Sequence, residues 1–387
     1  MLRRMRIIGI MSGTSYDAVE VAVAEFTVDG DDLVLHPLGE ATIAYPPDVR
    51  AAIAALLPPA ATTIGAVCRL HTTLGQVFAG AAVEGQRISG GTAELVVSHG
   101  QTVFHWVADG HALGTLQLGA PAWIAARTGR PVLSDVRTPD IARGGQGAPL
   151  VPVFDALLLG AAPTPRAALN LGGIANLTVV APDGGVIGYD VGPAGALLDA
   201  AARRYYGEPY DVDGRHAAAG TVHSRLLAGL LAEPYYRQPP PKSTGKELFH
   251  AGYVDAAGLA ADDVLATLTE LTARLVATEC DRQGVTEIVA AGGGTRNPVL
   301  MARLRALTRA AVTTTDAWGV PSAAKEAYAF ALLGWLAWHG LPGALPSVTG
   351  ARAAAVLGSW TPGARPLRLP EPRATLPRRL RVTTGQM

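Results

Sequence analysis

Apolar and polar positions along the chain repeat one arrangement twice. An apolar, strand-like run ends in a turn of small residues and a second apolar run follows, once over residues 7–24 and again over residues 169–180. Glycine lets backbone N–H groups approach an anion closely, and serine or threonine adds a hydroxyl donor. The repetition, at a spacing of roughly 160 residues, predicts two similar half-structures that face a shared cleft. Two anion-binding turns across one cleft indicate a nucleoside triphosphate.

The remaining periodicity predicts an α/β protein in which helices alternate with short strands. Helices are expected over residues 46–60, 63–84, 122–128, 196–206, 261–283, 298–309 and 325–337. Strands are expected over residues 94–98, 115–118, 131–134, 186–189 and 288–291. Residues 239–247 are expected to form an exposed turn, and the tail after Trp360 is expected to be irregular.

The length favours two domains, because single cores usually stop growing at about 250–300 residues and this chain has 387. The charged, glycine-rich stretch 135–149 has no helical or strand period and is predicted to cross between the halves. Such a loop usually carries function, and a plain interdomain linker is the alternative. We therefore expect an N-terminal domain over residues 1–150 and a C-terminal domain over residues 151–387.

Composition narrows the class of partner. The chain has 32 basic and 32 acidic residues, a formal net charge of zero, which argues against nucleic acid or an anionic membrane as the main partner. Cys68 and Cys280 have no C-x-x-C spacing, so neither a disulfide scaffold nor a cysteine-ligated metal is expected. The apolar run after the basic N-terminus stops at Ser12, too short for a secretory signal, and no stretch approaches the roughly 18 apolar residues of a membrane span. These features predict a cytoplasmic protein with a small-molecule partner.

The residues also supply the parts that a kinase needs: a phosphate cradle, a carboxylate near a divalent cation, and a base. Gly13, Thr14 and Ser15 form the first candidate cradle and Gly172 with Gly173 the second, while Asp17 is the candidate group near Mg²⁺, directly or through water. Asp190 ends a strand beside a Gly-Pro turn and is the candidate general base; a turn-capping role is the alternative.

Three further features have open interpretations. His99, with Gln101 and Thr102, follows a buried strand and either binds sugar hydroxyls or satisfies local backbone groups. The run Gly292, Gly293 and Gly294 opens a helix and is a weak signal for an anion or nucleotide site. The three lysines, Lys242, Lys246 and Lys325, are either phosphate contacts or ordinary surface residues. No H-E-x-x-H, Walker A or G-x-S-x-G motif is present, which disfavours a zincin, a P-loop enzyme and a typical α/β-hydrolase.

Ordered motifs from Gly9 to Gly358 resemble those of the anhydro-N-acetylmuramic acid kinases, within the superfamily of sugar kinases and actin. The matching segments are residues 9–17, 98–105, 140–142, 144–149, 170–176, 240–245, 292–294 with Asn297, and 326–327. The resemblance implies two duplicated actin-like (ribonuclease H-like) lobes around an ATP cleft, with Mg²⁺, and a homodimer. It also implies phosphorylation of O6 of 1,6-anhydro-N-acetylmuramic acid, coupled to hydrolytic opening of the anhydro bridge, as a step of peptidoglycan recycling.

By the same resemblance, Asp190 is the base that activates water for attack at C1. The implied nucleotide-binding residues are Gly13, Thr14, Ser15, Tyr16, Asp17, Gly172, Gly173, Asn176, Gly292, Gly293, Gly294 and Asn297. The implied substrate-binding residues are His99, Gln101, Thr102, Arg137 and Glu326, and the implied metal ligand is Asp17.

The chain departs from the family pattern next to Asp190. The usual run Asp-Thr-Gly-Pro-Gly-Asn is replaced by Asp190-Val191-Gly192-Pro193-Ala194-Gly195, which keeps the base and loses a hydroxyl and an amide. Such losses remove hydrogen bonds and are expected to bear on rate or substrate preference. Two alternatives to the muramic sugar follow: a kinase for another anhydrosugar such as levoglucosan, against which His105 and residues 115–119 argue, and a nucleotide-binding protein that has lost catalysis.

Overall fold

The computed structural model describes residues 4–13, 16–240, 242–245, 248–254, 256 and 258–383. Thr14 and Ser15 of the first predicted cradle, and Lys246, lie outside the described residues. The strands are β1 Met5–Met11, β2 Ala18–Asp29, β3 Asp32–Ala44, β4 Leu95–Ser98, β5 Gln101–Ala108, β6 His111–Leu118, β7 Val132–Ser134, β8 Arg166–Leu171, β9 Ile174–Val180, β10 Val186–Pro193, β11 Glu287–Ala291, β12 Ala311–Thr314, β13 Ser359–Thr361 and β14 Leu380–Val382.

The helices are α1 Pro47–Leu56, α2 Ile64–Ile88, α3 Pro121–Thr128, α4 Thr138–Ile141, α5 Pro152–Leu159, α6 Gly195–Tyr206, α7 Arg215–Ala219, α8 Ser224–Leu231, α9 Ala261–Arg282, α10 Pro298–Leu307, α11 Lys325–Trp338 and α12 Pro346–Thr349. Short 3-10 turns occupy Val212–Gly214, Pro234–Arg237, Ala251–Tyr253, Gly293–Arg296 and Thr315–Trp318. Within the described part of the chain, no helix is both long enough and apolar enough to cross a membrane.

The chain forms two compact units, one of Met1–Leu158 with Ala324–Met387 and one of Leu159–Ala323. The division predicted from the sequence, 1–150 and 151–387, differs from these units at both boundaries. Residues 135–149, expected to cross between the halves, lie within the first unit, and the second unit begins only at Leu159. Residues 324–387 group with the first unit because α11 packs on β1, β2 and β4.

The first unit is built on a seven-stranded sheet of order β13-β7-β4-β1-β2-β3-β14. Strands β1, β2 and β3 form an antiparallel meander, and β1, β4 and β7 run parallel. One face packs against α2, where Leu74 and Phe78 share an apolar core with Ile8 and Ile10. The other face receives α11, so closely that a Cβ on Gly9 would lie 1.9 Å from the carbonyl oxygen of Ala327.

The second unit repeats the same topology in a five-stranded sheet of order β10-β9-β8-β11-β12. Here β8, β9 and β10 form the antiparallel meander, while β8, β11 and β12 run parallel. Its apolar face packs against α6, α8, α9 and α10 in one core. The predicted α/β class and the predicted duplication are therefore confirmed strand by strand.

Two local expectations were wrong. Residues 239–247 were expected to be exposed, but Lys242 within them is buried. The tail was expected to be irregular, but β14 pairs in parallel with β3 and extends the first sheet.

Candidate active site

Three polar residues lie side by side across the end of the second sheet. Asn176 of β9 pairs with Asn170 of β8 on one side and with Asp190 of β10 on the other. Directly opposed residues of antiparallel strands point to the same face, and all three are only partly buried. The meander therefore presents two amides and a carboxylate in one row. Asn170 is not among the sequence-predicted site residues, and the signal for it was its place before the Gly172-Gly173 turn, opposite Asn176.

Asp190 is held from outside the sheet as well. Its backbone N–H donates to the carbonyl of Lys242 at 3.1 Å, and its carbonyl accepts from the Tyr235 hydroxyl at 2.8 Å. The N–H of Thr244 donates to Asp190 Oδ2 at 3.0 Å. The carboxylate of the predicted base is thus oriented by a backbone donor.

The Gly172-Gly173 turn lies against the first turn of α6. Its carbonyl groups accept hydrogen bonds from the backbone N–H groups of Ala194 and Gly195, each at 3.0 Å. A Cβ at Gly195 would lie 3.0 Å from the Gly172 oxygen, so a glycine fits this contact. Val191 is buried in the core of the unit, where an apolar side chain packs without needing a hydrogen bond. The departures at Val191 and Gly195 thus have structural explanations.

The glycine run after β11 approaches the same turn. Gly292 has φ of 89°, and a Cβ there would lie 2.7 Å from Asn170 Oδ1, while one on Gly294 would lie 2.7 Å from Leu171 Cβ. Only glycine allows this approach of two backbones. Asn297 caps α10, since its Oδ1 accepts from the N–H groups of Val299 and Leu300 at 3.0 Å each. The second unit therefore brings together Asp190, Asn176, both glycine turns and the start of α10.

The first unit has its own polar cluster at the end of β1. The Tyr45 hydroxyl donates to Ser12 Oγ at 2.9 Å, and Ser12 Oγ donates to Gln101 Oε1 at 2.6 Å. Gln101 Nε2 donates in turn to the carbonyl of Gly13 at 3.4 Å. Burial raises the pKa of Tyr45 to about 12, against the opposing effect of the Ser12 hydrogen bond, so the hydroxyl stays protonated. The amide of Gln101 thus contacts Ser12 and the carbonyl of Gly13, and Ser12 and Tyr45 are partners that sequence reasoning missed.

His99 is a buried, neutral imidazole. Its Nδ1 lies 2.8 Å from the carbonyl of Gly100, and its Nε2 accepts from Arg137 Nε at 2.9 Å. Burial, helped by the charge of Arg137, lowers the pKa of His99 to about 3. Burial also lowers the pKa of Arg137 to about 10, while the negative charge of Glu326 acts in the opposite direction. His99, Arg137 and Glu326, all predicted substrate groups, are therefore electrostatically linked.

The glycine-rich loop that carries Arg137 is shaped by a buried carboxylate. Asp140 Oδ2 accepts from the N–H of Gly147 at 2.8 Å, and Oδ1 accepts from the Thr349 hydroxyl at 2.8 Å. Arg137 Nη1 donates to the carbonyl of Gly147 at 3.1 Å. Asp140 thereby fixes the loop segment to which Arg137 is bound.

The remaining predicted residues of the first unit lie nearer the surface. Thr102 Oγ1 accepts from Gln117 Nε2 at 3.2 Å. Tyr16 has a positive φ of 42°, and the exposed Asp17 carboxylate pairs with Arg50 at 2.5 Å. Among the described residues, no group of three or more His, Cys, Asp or Glu could hold a metal ion.

Neither of the two described lysines is an ordinary surface residue. Lys325 Nζ donates to Asp155 Oδ1 at 2.9 Å, and Lys242 Nζ donates to Glu279 Oε1 at 3.2 Å. The side chains of both lysines are at most 2% exposed. Their ammonium groups form buried ion pairs.

Comparison with known proteins gives the family. The family described as "Anhydro-N-acetylmuramic acid kinase" matches residues 5–363. A protein of that name from Streptomyces coelicolor is 57% identical, over 98% of this chain and 100% of its own. The chain belongs to the anhydro-N-acetylmuramic acid kinase family. Another protein of that name, from Streptomyces avermitilis, is 59% identical, over 96% of this chain and 97% of its own. Among solved structures, component A of Acidaminococcus fermentans (R)-2-hydroxyglutaryl-CoA dehydratase has a TM-score of 0.43 at 13% identity, covering 84% of this chain and 96% of that one.

Membership of the anhydro-N-acetylmuramic acid kinase family assigns the chain to the sugar kinases. The second unit carries the Asp190 row with its glycine turns, and the first unit carries the Ser12 cluster and the His99, Arg137 and Glu326 group. Carboxylate, amide and guanidinium groups in these arrangements suit general-base chemistry and recognition of a polar sugar.

Proposed function

We propose that this family member transfers the γ-phosphoryl group of ATP to O6 of 1,6-anhydro-N-acetylmuramic acid while water opens the anhydro bridge. The oxygen of water bonds to C1 as the C1–O6 bond breaks, and O6 bonds to the γ-phosphorus as the bond to ADP breaks. The proton lost by water passes to a carboxylate. The products are N-acetylmuramic acid 6-phosphate and ADP.

The observation that carries this proposal is the fixed carboxylate of Asp190. A general base must hold one geometry toward the water that it deprotonates. Asp190 is partly buried at the end of an edge strand, and its Oδ2 accepts the Thr244 N–H at 3.0 Å. A carboxylate held by a backbone donor keeps its direction while it gains a proton.

The proposed nucleotide site rests on the close approach of the two glycine turns of the second unit. Gly292 and Gly294 pack so closely on Asn170 and Leu171 that a Cβ on either would clash with them. This close approach brings main-chain groups of the two glycine turns together, which suits a phosphate chain or a nucleoside held by the backbone. Mg²⁺ typically takes one or two carboxylates, several waters and the phosphates themselves. Asp17 fits as one ligand, because its carboxylate is exposed and its Arg50 partner lies at the surface. When bound, the metal would neutralise charge on the transferred phosphoryl group.

On the sugar side, we assign His99, Gln101, Thr102, Arg137 and Glu326 to substrate recognition. The opposed charges of Arg137 and Glu326 suit a sugar with hydroxyl, amide and carboxylate groups. His99 contributes by holding Arg137, whose Nε donates to its Nε2. We place the reaction in the reducing cytoplasm, in keeping with the free cysteines Cys68 and Cys280. The homodimer stays a prediction from the family resemblance.

The test measures ADP release with MgATP and 1,6-anhydro-N-acetylmuramic acid, beside levoglucosan, N-acetylmuramic acid and no sugar. We expect turnover with the anhydromuramic sugar alone, and turnover only with levoglucosan would contradict the assigned substrate. Asp190→Asn should abolish turnover and keep affinity for the nucleotide, because the amide cannot accept the proton. Asp183→Asn, at the exposed β9–β10 turn, is the matched control and should retain full activity. An active Asp190→Asn enzyme would remove Asp190 from the role of base.

A further inference from the structure

The environment of Asp190 contains a buried lysine that the reaction itself does not use. We propose that Lys242 is a positioning residue, whose buried ion pair with Glu279 fixes the segment 242–244 that orients the Asp190 carboxylate. The inference rests on the proposed role of Asp190 as base. All of the groups concerned lie within the second unit.

Asp190 lies on the edge strand of its sheet. β10 is the outermost strand of its sheet, and its ladder with β9 is irregular between Asp190 and Gly192. An edge strand presents backbone groups that the sheet does not pair, and a bulge bends the strand. Without an added partner, the strand end that carries the base would be poorly fixed.

The segment 242–244 supplies that partner at two points. The Lys242 carbonyl accepts the Asp190 N–H, and the Thr244 N–H donates to the Asp190 carboxylate. One contact fixes the backbone and the other fixes the side chain of the same residue. Any displacement of this segment therefore moves the reacting carboxylate directly.

The segment 242–244 has an anchor of its own. The Lys242 ammonium donates to Glu279 Oε1 at 3.2 Å and to the carbonyl of Tyr236 at 3.3 Å. It also lies 5.7 Å from the ring centre of Tyr189 and 5.2 Å from that of Tyr235, within cation–π distance. Glu279, on α9, is in turn bound by Arg282 at 2.9 Å and by the Tyr189 hydroxyl at 3.2 Å.

The buried charge of Lys242 provides something that an apolar side chain does not. Burying an ammonium group is costly, and an apolar side chain of similar volume often serves stability equally well. What an apolar side chain cannot provide is a directional bond to a fixed carboxylate on a helix. Tyr235 links the two sides, since its ring faces the Lys242 ammonium and its hydroxyl donates to the Asp190 carbonyl. The pair therefore sets the position of the segment, and through it the position of Asp190.

The test compares Lys242→Met with Arg282→Gln in the full-length enzyme. Both remove a cation from Glu279, but only Lys242 belongs to the segment that contacts Asp190. We expect Lys242→Met to lower kcat by about 10- to 100-fold, since a displacement near 1 Å costs up to about 100-fold. The KM values for MgATP and for the anhydromuramic sugar should stay within about twofold, because ground-state binding is untouched. Arg282→Gln should keep the wild-type kcat.

Rates are normalised to the concentration of sites that bind ADP, so a partly unfolded preparation cannot imitate a lower kcat. If Lys242→Met does not fold, Thr244→Pro and Thr244→Ala replace it. Proline removes the N–H that donates to Asp190 and alanine keeps it, so only Thr244→Pro should lose turnover. Wild-type kcat in Lys242→Met, an equal loss in Arg282→Gln, or equal rates in the two Thr244 variants would overturn the positioning role.

The Asp190→Asn result separates this inference from the function on which it rests. An inactive Asp190→Asn enzyme with a fully active Lys242→Met enzyme overturns the positioning role and leaves the base assignment in place. An active Asp190→Asn enzyme overturns the base assignment itself, and the positioning role with it.

Discussion

His99 should make the protein sensitive to acid well above the pH at which carboxylates are protonated. The imidazole is 2% exposed, and burial beside Arg137 lowers its pKa to about 3. In the unfolded chain its pKa returns to about 6.5. Below that value the unfolded state binds a proton that the folded state does not, so stability falls as the pH decreases from about 6.5 toward about 3.

The magnitude follows from the unfolded state alone. A pH of about 5 lies about 1.5 units below the pKa of the imidazole in the unfolded chain. At 1.36 kcal/mol per unit, the free energy of unfolding falls by about 2 kcal/mol. The value hardly changes for any folded pKa below about 4. Replacing His99 by glutamine removes this loss, and the glutamine oxygen can still accept from Arg137.

Urea unfolding of the wild type and His99→Gln at about pH 7.5 and about pH 5 measures the effect. From about pH 7.5 to about pH 5, the free energy of unfolding should fall by about 2 kcal/mol more in the wild type than in His99→Gln. The difference isolates His99, since all other titrating groups are common to both proteins. NMR of labelled imidazole should show no titration of His99 across this range. Equal losses in both proteins, or a His99 midpoint near 6.5, would refute the reasoning.

Two further predictions concern stability. Gly9→Ala should lower the free energy of unfolding by about 1–3 kcal/mol or more, because its Cβ would lie 1.9 Å from the Ala327 oxygen. Gly13→Ala is the control, since a Cβ there would have nothing within 4 Å. Equal free energies of unfolding in the two variants would contradict the close contact at Gly9. Lys325→Met should lower the free energy of unfolding by about 3–5 kcal/mol, since it removes the lysine that pairs with the buried Asp155 carboxylate. Adding Asp155→Leu should recover part of this loss, because it removes the buried charge as well. Urea titration measures both, and a double variant no more stable than Lys325→Met would count against the explanation.

The duplicated strand-turn-strand pattern could be predicted because it is local. Each meander combines continuous apolar runs with a turn of small residues, and these signals lie close together in the sequence. Strand β3 was missed because Pro37 and Gly39 interrupt its pattern where the pairing with β2 shifts register. A register shift depends on the partner strand, which sequence spacing does not reveal.

The sequence predicted which residues belong to the candidate site better than it predicted their hydrogen-bond and ion-pair partners. Asp190 was identified from its strand end, whereas its contact with Thr244 joins residues 54 positions apart. Lys242 was expected in an exposed turn because proline and polar residues surround it. Its burial depends on Glu279 from a helix 37 positions later, and no local pattern encodes that pairing.

The packing of α11 on β1 has a consequence for biosynthesis. The covering helix begins at Lys325, and the strand that it covers ends at Met11. At about 5–20 residues per second, ribosomes need roughly 15 to 60 s to make the chain between them. The continuous stretch Leu159–Ala323 can fold during that interval, whereas the first sheet waits with one apolar face uncovered. Nascent chains stalled before α11 should therefore recruit chaperones, and release of the C-terminal segment should end that dependence.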